Sequence, residues 1–303
     1  MKSKFFVFAI GLMSFVANGN AVVSVDTDLA KRSVVFIYAA NRNGEVDKTK
    51  QMATGFLISV PKTGSRFFYM FLVTARHVVD PVWAGCSEQN PSRLFIRVNK
   101  FGFDPAANES GVSYIPVDLT QNGKPKWFKS KDDHVDAAVL DVPEELGEGK
   151  YDVKFIFFRN FGARDEISKL GVGSDIASVG LVPGLQGIRR NYPIFKFGKI
   201  GGIPDEMAAS KCTKDSVTVP IRVWWLSVNL VAGNSGSPIF FTPLFPPGGD
   251  ISVGEPRPMM IGLQSISVDG SDIAGMTPSE YIVEIFRDIA PLNGDLTIGL
   301  PPR

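Results

Sequence analysis

Cysteine and histidine each occur only twice in the 303 residues. Two cysteines cannot build the dense disulfide framework of a small secreted scaffold, nor a zinc site of four thiolates. Stability must come from a hydrophobic core, which a chain with 44% hydrophobic and 21% charged residues can form. Cys86 and Cys212 could bridge in an oxidising compartment, but sequence alone does not establish that their Cα atoms come close enough. Charge of one sign is lacking as well. The net charge is +1 with Lys and Arg dispersed, so no basic patch suited to nucleic acid is visible. No Walker A sequence, HExxH or EF-hand loop occurs, and Gly171-Val172-Gly173 lacks the third glycine of a dinucleotide fingerprint. No metal or nucleotide cofactor is implied.

Long apolar runs are absent after the first segment. There Lys2 and Lys4 precede the run Phe5 to Ala17, and small and polar residues lead to Ala21. The pattern predicts a secretory signal peptide over residues 1–21, with small-x-small sites after Gly19 or Ala21. The run is short for a transmembrane span. The expectation is an exported protein, periplasmic or extracellular, with no stable membrane association once the signal is removed.

Helical periodicity is also scarce. Short β-branched and aromatic runs recur between Gly, Pro and Asn: Ser33 to Ala40, Gly55 to Val60, Phe67 to Thr74, Leu94 to Val98 and Ala137 to Val142. A second series comprises Val153 to Phe158, Ile176 to Val182, Ile194 to Ile200, Val217 to Ser227, Ser237 to Phe241 and Met259 to Ser267. This density of strands predicts an all-β fold. Pro143 to Lys150 has little that could fill a core, which divides the mature chain into 22–148 and 149–303. One helix is expected over Pro278 to Ile289, with Thr277 as its N-cap. Thr242 to Pro258 is Pro-rich and reads as an exposed loop.

Three segments carry chemistry. Residues 233–238 read Gly-Asn-Ser-Gly-Ser-Pro, a turn that can present a Ser235 nucleophile. The N–H groups of Gly233 and Ser235 would form an oxyanion hole. In FLVTARHVVD, residues 71–80, His77 follows a buried strand, where a rigid scaffold can aim a general base. In DDHVDAAVLDV, residues 132–142, an aspartate opening an apolar strand is costly unless paired, and an imidazole N–H is a suitable partner. Asp136 fits better than Asp132 or Asp133 because it directly abuts the apolar run. His134 belongs to the same segment and reads as a rim residue.

The order His, Asp, Ser belongs to the chymotrypsin-type arrangement. With Thr74-Ala75-Arg76-His77-Val78, Asp136-Ala137-Ala138-Val139-Leu140 and Gly233-Asn234-Ser235-Gly236-Ser237-Pro238, the chain resembles the trypsin-like serine peptidases, and more closely their bacterial extracytoplasmic members of the HtrA-like and glutamyl-endopeptidase branches. The resemblance implies two six-stranded antiparallel β-barrels packed together, a closing C-terminal helix, a site between the barrels, and serine endopeptidase activity on a polypeptide substrate. It is not complete. Asn234 stands where animal trypsins carry an aspartate that pairs with a newly cut N-terminus, so activation by that route is not expected. The chain after the closing helix is too short for a PDZ domain.

By the same resemblance, the specificity pocket would be lined by Asn229 to Ala232 and Gln264 to Ser267, hence Asn229, Ala232, Gln264, Ser265 and Ser267. None is charged, which points to a small, uncharged or polar side chain before the cut bond. Two rival readings share these residues: a protease-fold binding protein with an unproductive site, and an esterase using the same three groups.

Overall fold

The computed structural model describes residues 26–289 and 292, except 63, 64, 66, 105, 107, 108, 163, 213–215, 243–258 and 269. The expected signal segment and nearly all of the Pro-rich stretch lie outside these residues. Among those described, no helix is long and apolar enough to cross a membrane.

The first half opens on helix α1 (Thr27–Ser33), capped by the Asp26 carboxylate, which accepts the N–H groups of Asp28 (3.1 Å) and Leu29 (2.9 Å). The strands that follow are β1 (Val34–Ala40), β2 (Val46–Pro61), β3 (Phe68–Thr74), β4 (Arg93–Asn99), β5 (Val112–Asp118), β6 (Thr120–Gln121), β7 (Lys124–Pro125), β8 (Trp127–Lys129), β9 (Ala138–Asp141) and β10 (Ile156–Phe157). One-turn helix α2 (Arg76–Val79) follows β3. The main sheet runs β5-β4-β1-β2-β3-β9-β8, with β10 lying parallel to β2 off this path.

Between β5 and β8, the hairpin β6–β7 turns on Asn122 and Gly123, whose φ values of 52° and 73° suit a two-residue hairpin loop. This hairpin joins the two ends of the path. The sheet therefore curls back on itself through a hairpin, with no ladder between β5 and β8 among the described residues.

The second half contains α3 (Arg164–Ile167), β11 (Asp175–Gly180), β12 (Ile194–Gly202), β13 (Ala208–Ser210), β14 (Val219–Ile221), β15 (Trp224–Ser227), β16 (Pro238–Phe241), β17 (Met259–Ser267), β18 (Ile273–Pro278) and α4 (Ser279–Asp288). Six of its strands close a barrel in the order β11-β12-β15-β18-β17-β16, and β13–β14 forms a separate hairpin. Ile176, Ile200, Leu226, Ile239, Ile261 and Met276 belong to the apolar cluster of this barrel.

A larger cluster spans both halves, combining Val35, Leu57, Leu72 and Val139 with Val179, Leu181, Leu263 and Phe286. Helix α4 is central to it. Its buried Phe286 ring sits 5.2 Å from Phe71 and 5.0 Å from Phe158, centroid to centroid, so the last helix covers the first sheet. Cys86 and Cys212 form a disulfide with Cα atoms 5.2 Å apart, joining the segment after α2 to the segment between β13 and β14.

Several expectations shift. The run 153–158, grouped with the second strand series by its composition, yields only β10, and β10 pairs with the first sheet. Thr277 is not the cap of α4: it lies within β18, which ends at Pro278, and its hydroxyl donates to the Asp136 carbonyl (3.3 Å), which leaves Pro278 at the cap position with no side-chain bond. The run 217–227 divides into β14 and β15, since the segment between them, which includes Arg222 and Val223, joins a hairpin strand to a barrel strand.

Candidate active site

His77 sits on α2 immediately after β3, and Asp136 two residues before β9, which pairs with β3 from Thr74↔Ala138 to Phe71↔Asp141. That ladder sets the two side chains together. Asp136 Oδ2 lies 2.8 Å from His77 Nδ1, and Asp136 Oδ1 accepts the His77 backbone N–H at 2.9 Å. The carboxylate is buried, whereas the imidazole keeps partial access to solvent. Desolvation pulls the His77 pKa down, but the charge and hydrogen bond of Asp136 outweigh it, and the net effect is a rise above 6.5.

The other acidic and basic groups of this segment are engaged elsewhere. Asp132 pairs with Arg222 at 2.5 Å and accepts the His134 N–H. Asp133 pairs with Lys129 (2.6 Å) and Arg76 (2.9 Å), whose hydrogen bonds, that of Lys129 first, hold its pKa down to about 2. Arg76, beside His77, is buried, ion-paired with Asp80, and stacked over Trp83 with its guanidinium carbon 4.2 Å from the ring centre. His134 Nδ1 lies 3.0 Å from the Pro220 carbonyl, outside the His77–Asp136 pair.

Ser235 lies on the loop between β15 and β16. The Asn234 N–H donates to the Val231 carbonyl (3.0 Å), closing a four-residue turn in which Gly233 has φ +94° and Ala232 does not have positive φ. Those dihedrals describe a type II turn, which requires a residue such as glycine at its third position. Among the described residues, the N–H groups of Gly233 and Ser235 donate to no protein acceptor. Asn234 is buried; its amide donates to the Leu181 carbonyl and its Oδ1 accepts the Val231 N–H (3.0 Å).

The loop docks closely on the first half. Gly236 has φ +85°, and a Cβ there would meet the Thr54 carbonyl at 2.2 Å and the Ala75 nitrogen at 3.1 Å. Ser235–Gly236 is thereby held against the residues that lead into His77. No hydrogen bond joins Ser235 to His77, so the structure makes the His77–Asp136 contact and brings Ser235 into the same neighbourhood without completing a three-residue relay.

Thr54 on β2, which has no role in the sequence reading, bonds the two halves together at this junction. Its N–H donates to the Ser235 carbonyl (2.9 Å) and its hydroxyl to the Gly233 carbonyl (2.8 Å), while the hydroxyl accepts the Leu181 N–H (3.1 Å). Thr74 in turn donates its hydroxyl to the Thr54 carbonyl (2.8 Å).

The five pocket residues named from the sequence separate by exposure. Asn229 and Ala232 are exposed, Ser267 is half-buried, and Gln264 and Ser265 are buried. The backbone of Gln264 accepts the Gly236 N–H (2.7 Å) and donates to the Ser237 carbonyl (2.9 Å). Its amide group has no partner among the described residues. Segment 229–232 contains no charge, but the fold brings two charged side chains to Asn229. Lys196 on β12 donates to the Asn229 carbonyl (2.7 Å), and Asp272 accepts from the Asn229 amide (3.1 Å). Desolvation pulls the Lys196 pKa below its ordinary value.

His77 after its strand, Asp136 before the adjacent strand and Ser235 before β16, together with the closed second barrel and terminal helix, decide the architecture. This is a chymotrypsin-like, protease-fold protein. No protein-family model and no curated protein matches the sequence. Solved structures with a similar fold include the MamO protease domain from Magnetospirillum magneticum (12% identity, 84% of this chain and 96% of that chain, TM-score 0.47). Others are the inactive form of Rv3671c from M. tuberculosis H37Rv (16% identity, 91% and 96%, TM-score 0.45) and the thermostable serine protease AL20 from an extremophilic microorganism (10% identity, 82% and 91%, TM-score 0.43). At these scores the likenesses say nothing about the site, whose chemistry stands on the residues above.

Proposed function

We propose that the protein is an exported serine endopeptidase in which Ser235 attacks a peptide carbonyl, His77 takes the hydroxyl proton, and Asp136 orients the imidazole. The observation that carries this reading is the buried Asp136 carboxylate, which holds His77 by both its ring and its backbone. Nδ1–H donation to Asp136 leaves Nε2 as the base, and the imidazolium that forms is stabilised by the adjacent negative charge. The carbonyl oxygen would acquire its charge against the N–H groups of Gly233 and Ser235. His77 then protonates the leaving amine, and water hydrolyses the acyl-enzyme. Catalytic hydrogen bonds are often long before substrate arrives, so the open Ser235–His77 contact is compatible with this sequence of steps.

Ser235→Ala is expected to lower peptidase turnover by about a million-fold while leaving the fold intact. Unchanged turnover in the purified variant would overturn the assignment. That same open contact favours a second reading, a protein that binds polypeptides without cutting them. A fluorophosphonate probe separates the two: covalent labelling at Ser235 supports the enzyme, and a folded sample that stays unlabelled supports the binder.

Export rests on the Lys2–Ala21 pattern, and the Cys86–Cys212 bridge suits an oxidising compartment. A mature N-terminus at residue 20 or 22, read by mass spectrometry, would support it.

A further inference from the structure

We propose that Thr54 is a positioning residue for the nucleophile turn, holding the Gly233 and Ser235 carbonyls so that the N–H groups of these residues stay aimed at the substrate. The proposal rests on the serine-peptidase reading of Ser235. Thr54 is fully buried. Its backbone carbonyl and N–H and its hydroxyl make four hydrogen bonds, and three of them go to the second half: Gly233 carbonyl, Ser235 carbonyl and Leu181 N–H. Leu181 in turn accepts from the amide of Asn234, so the residue between the two held carbonyls is fixed from its other side.

The physical need for such a clamp lies in the turn itself. Types I and II differ by rotation of the central peptide, here Ala232–Gly233, and glycine at the third position is compatible with both. In the type II form seen here Gly233 has φ +94°. In the type I form its φ becomes negative and the Gly233 N–H is turned away, with the Ala232 carbonyl in its place. A carbonyl facing a developing oxyanion would repel it, so the turn must be biased towards one form. The Thr54 hydroxyl bonds to the carbonyl that immediately follows the rotating φ, and anchors it from a strand of the other half. A hydroxyl that both donates and accepts is required, because Gly233 offers an acceptor and Leu181 a donor.

Thr54→Val keeps the shape and removes both hydroxyl bonds; Thr54→Ser keeps the bonds. The Val variant is expected to lose about a hundred-fold in kcat with KM little changed, and to label correspondingly slowly with the fluorophosphonate probe. The Ser variant is expected to restore kcat to within about threefold of the parent. Equal loss in both variants, or undiminished kcat in the Val variant, would overturn the proposal. Crystal structures of the parent and the Val variant give a readout independent of turnover. Rotation or disorder of the Ala232–Gly233 peptide in the Val variant supports the clamp, and an unchanged turn refutes it. If the parent itself neither cleaves nor labels, the peptidase reading falls, and the two crystal structures still decide whether Thr54 holds the turn.

Discussion

Asp136 spends both oxygens on one residue, one on the imidazole of His77 and one on its backbone N–H. An asparagine there has a single acceptor oxygen, so it cannot satisfy both donors, and the imidazole is free to take the wrong tautomer. Asp136→Asn is therefore expected to lower kcat by about ten thousand-fold without abolishing folding, as measured by steady-state kinetics beside circular dichroism. The raised His77 pKa also has opposite consequences for stability and activity. Folded protein holds the His77 proton more tightly than the unfolded chain, in which the pKa is near 6.5. The resulting stabilisation is fully present below that pH and is lost as pH rises through the higher folded value. Under the proposed mechanism activity needs neutral His77, so kcat/KM should climb with pH through a midpoint above 6.5, a rise that a pH–rate profile reads directly. A midpoint below 6.5 would mean that desolvation prevails over Asp136.

Among the elements, α4 has the clearest energetic role. Phe286 is fully buried against Phe71, Phe158 and Phe161, two of them at ring distances near van der Waals contact. Phe286→Ala should cost about 3–5 kcal/mol, because the ring cluster spans elements that cannot all collapse into the space left. Denaturant titration checks this; a loss below about 1 kcal/mol would show that the cluster relaxes. The elements also show why some features could be read from sequence and others could not. Strand β1, and β3 up to Thr74, are uninterrupted apolar runs, β17 opens on one from Met259 to Leu263, and α4 has an apolar stripe at helical spacing, so each announces itself locally. The short strand β10 and the Thr277 hydroxyl take their positions from partners far along the chain, which no local pattern encodes. The same holds at the candidate site. His77, Asp136 and Ser235 each sit in a recognisable run, whereas Thr54, Lys196 and Asp272 reach the site only through long-range packing.

At the scale of the molecule, the two halves are tied covalently as well as by their shared core. The Cys86–Cys212 bridge spans 126 residues of sequence. Closing so long a loop restricts the unfolded chain, and replacing both cysteines by serine should cost about 2–5 kcal/mol. Guanidinium midpoints with and without reductant would measure the loss, and coincident midpoints would show that the bridge adds nothing. The site depends on this union, since Thr54 and His77 belong to one half and Gly233 and Ser235 to the other.

The position of α4 bears on how the chain becomes a protein in the first place. The first sheet is made early in synthesis, yet its apolar face is covered by residues 279–288. Until those residues have emerged, the sheet lacks its cover, and folding of the first half has to wait for the second. A chain with contacts this distant in sequence is expected to fold slowly and late, after release and not domain by domain on the ribosome. Under the proposed export that delay would be useful, because a translocation channel takes an unfolded chain.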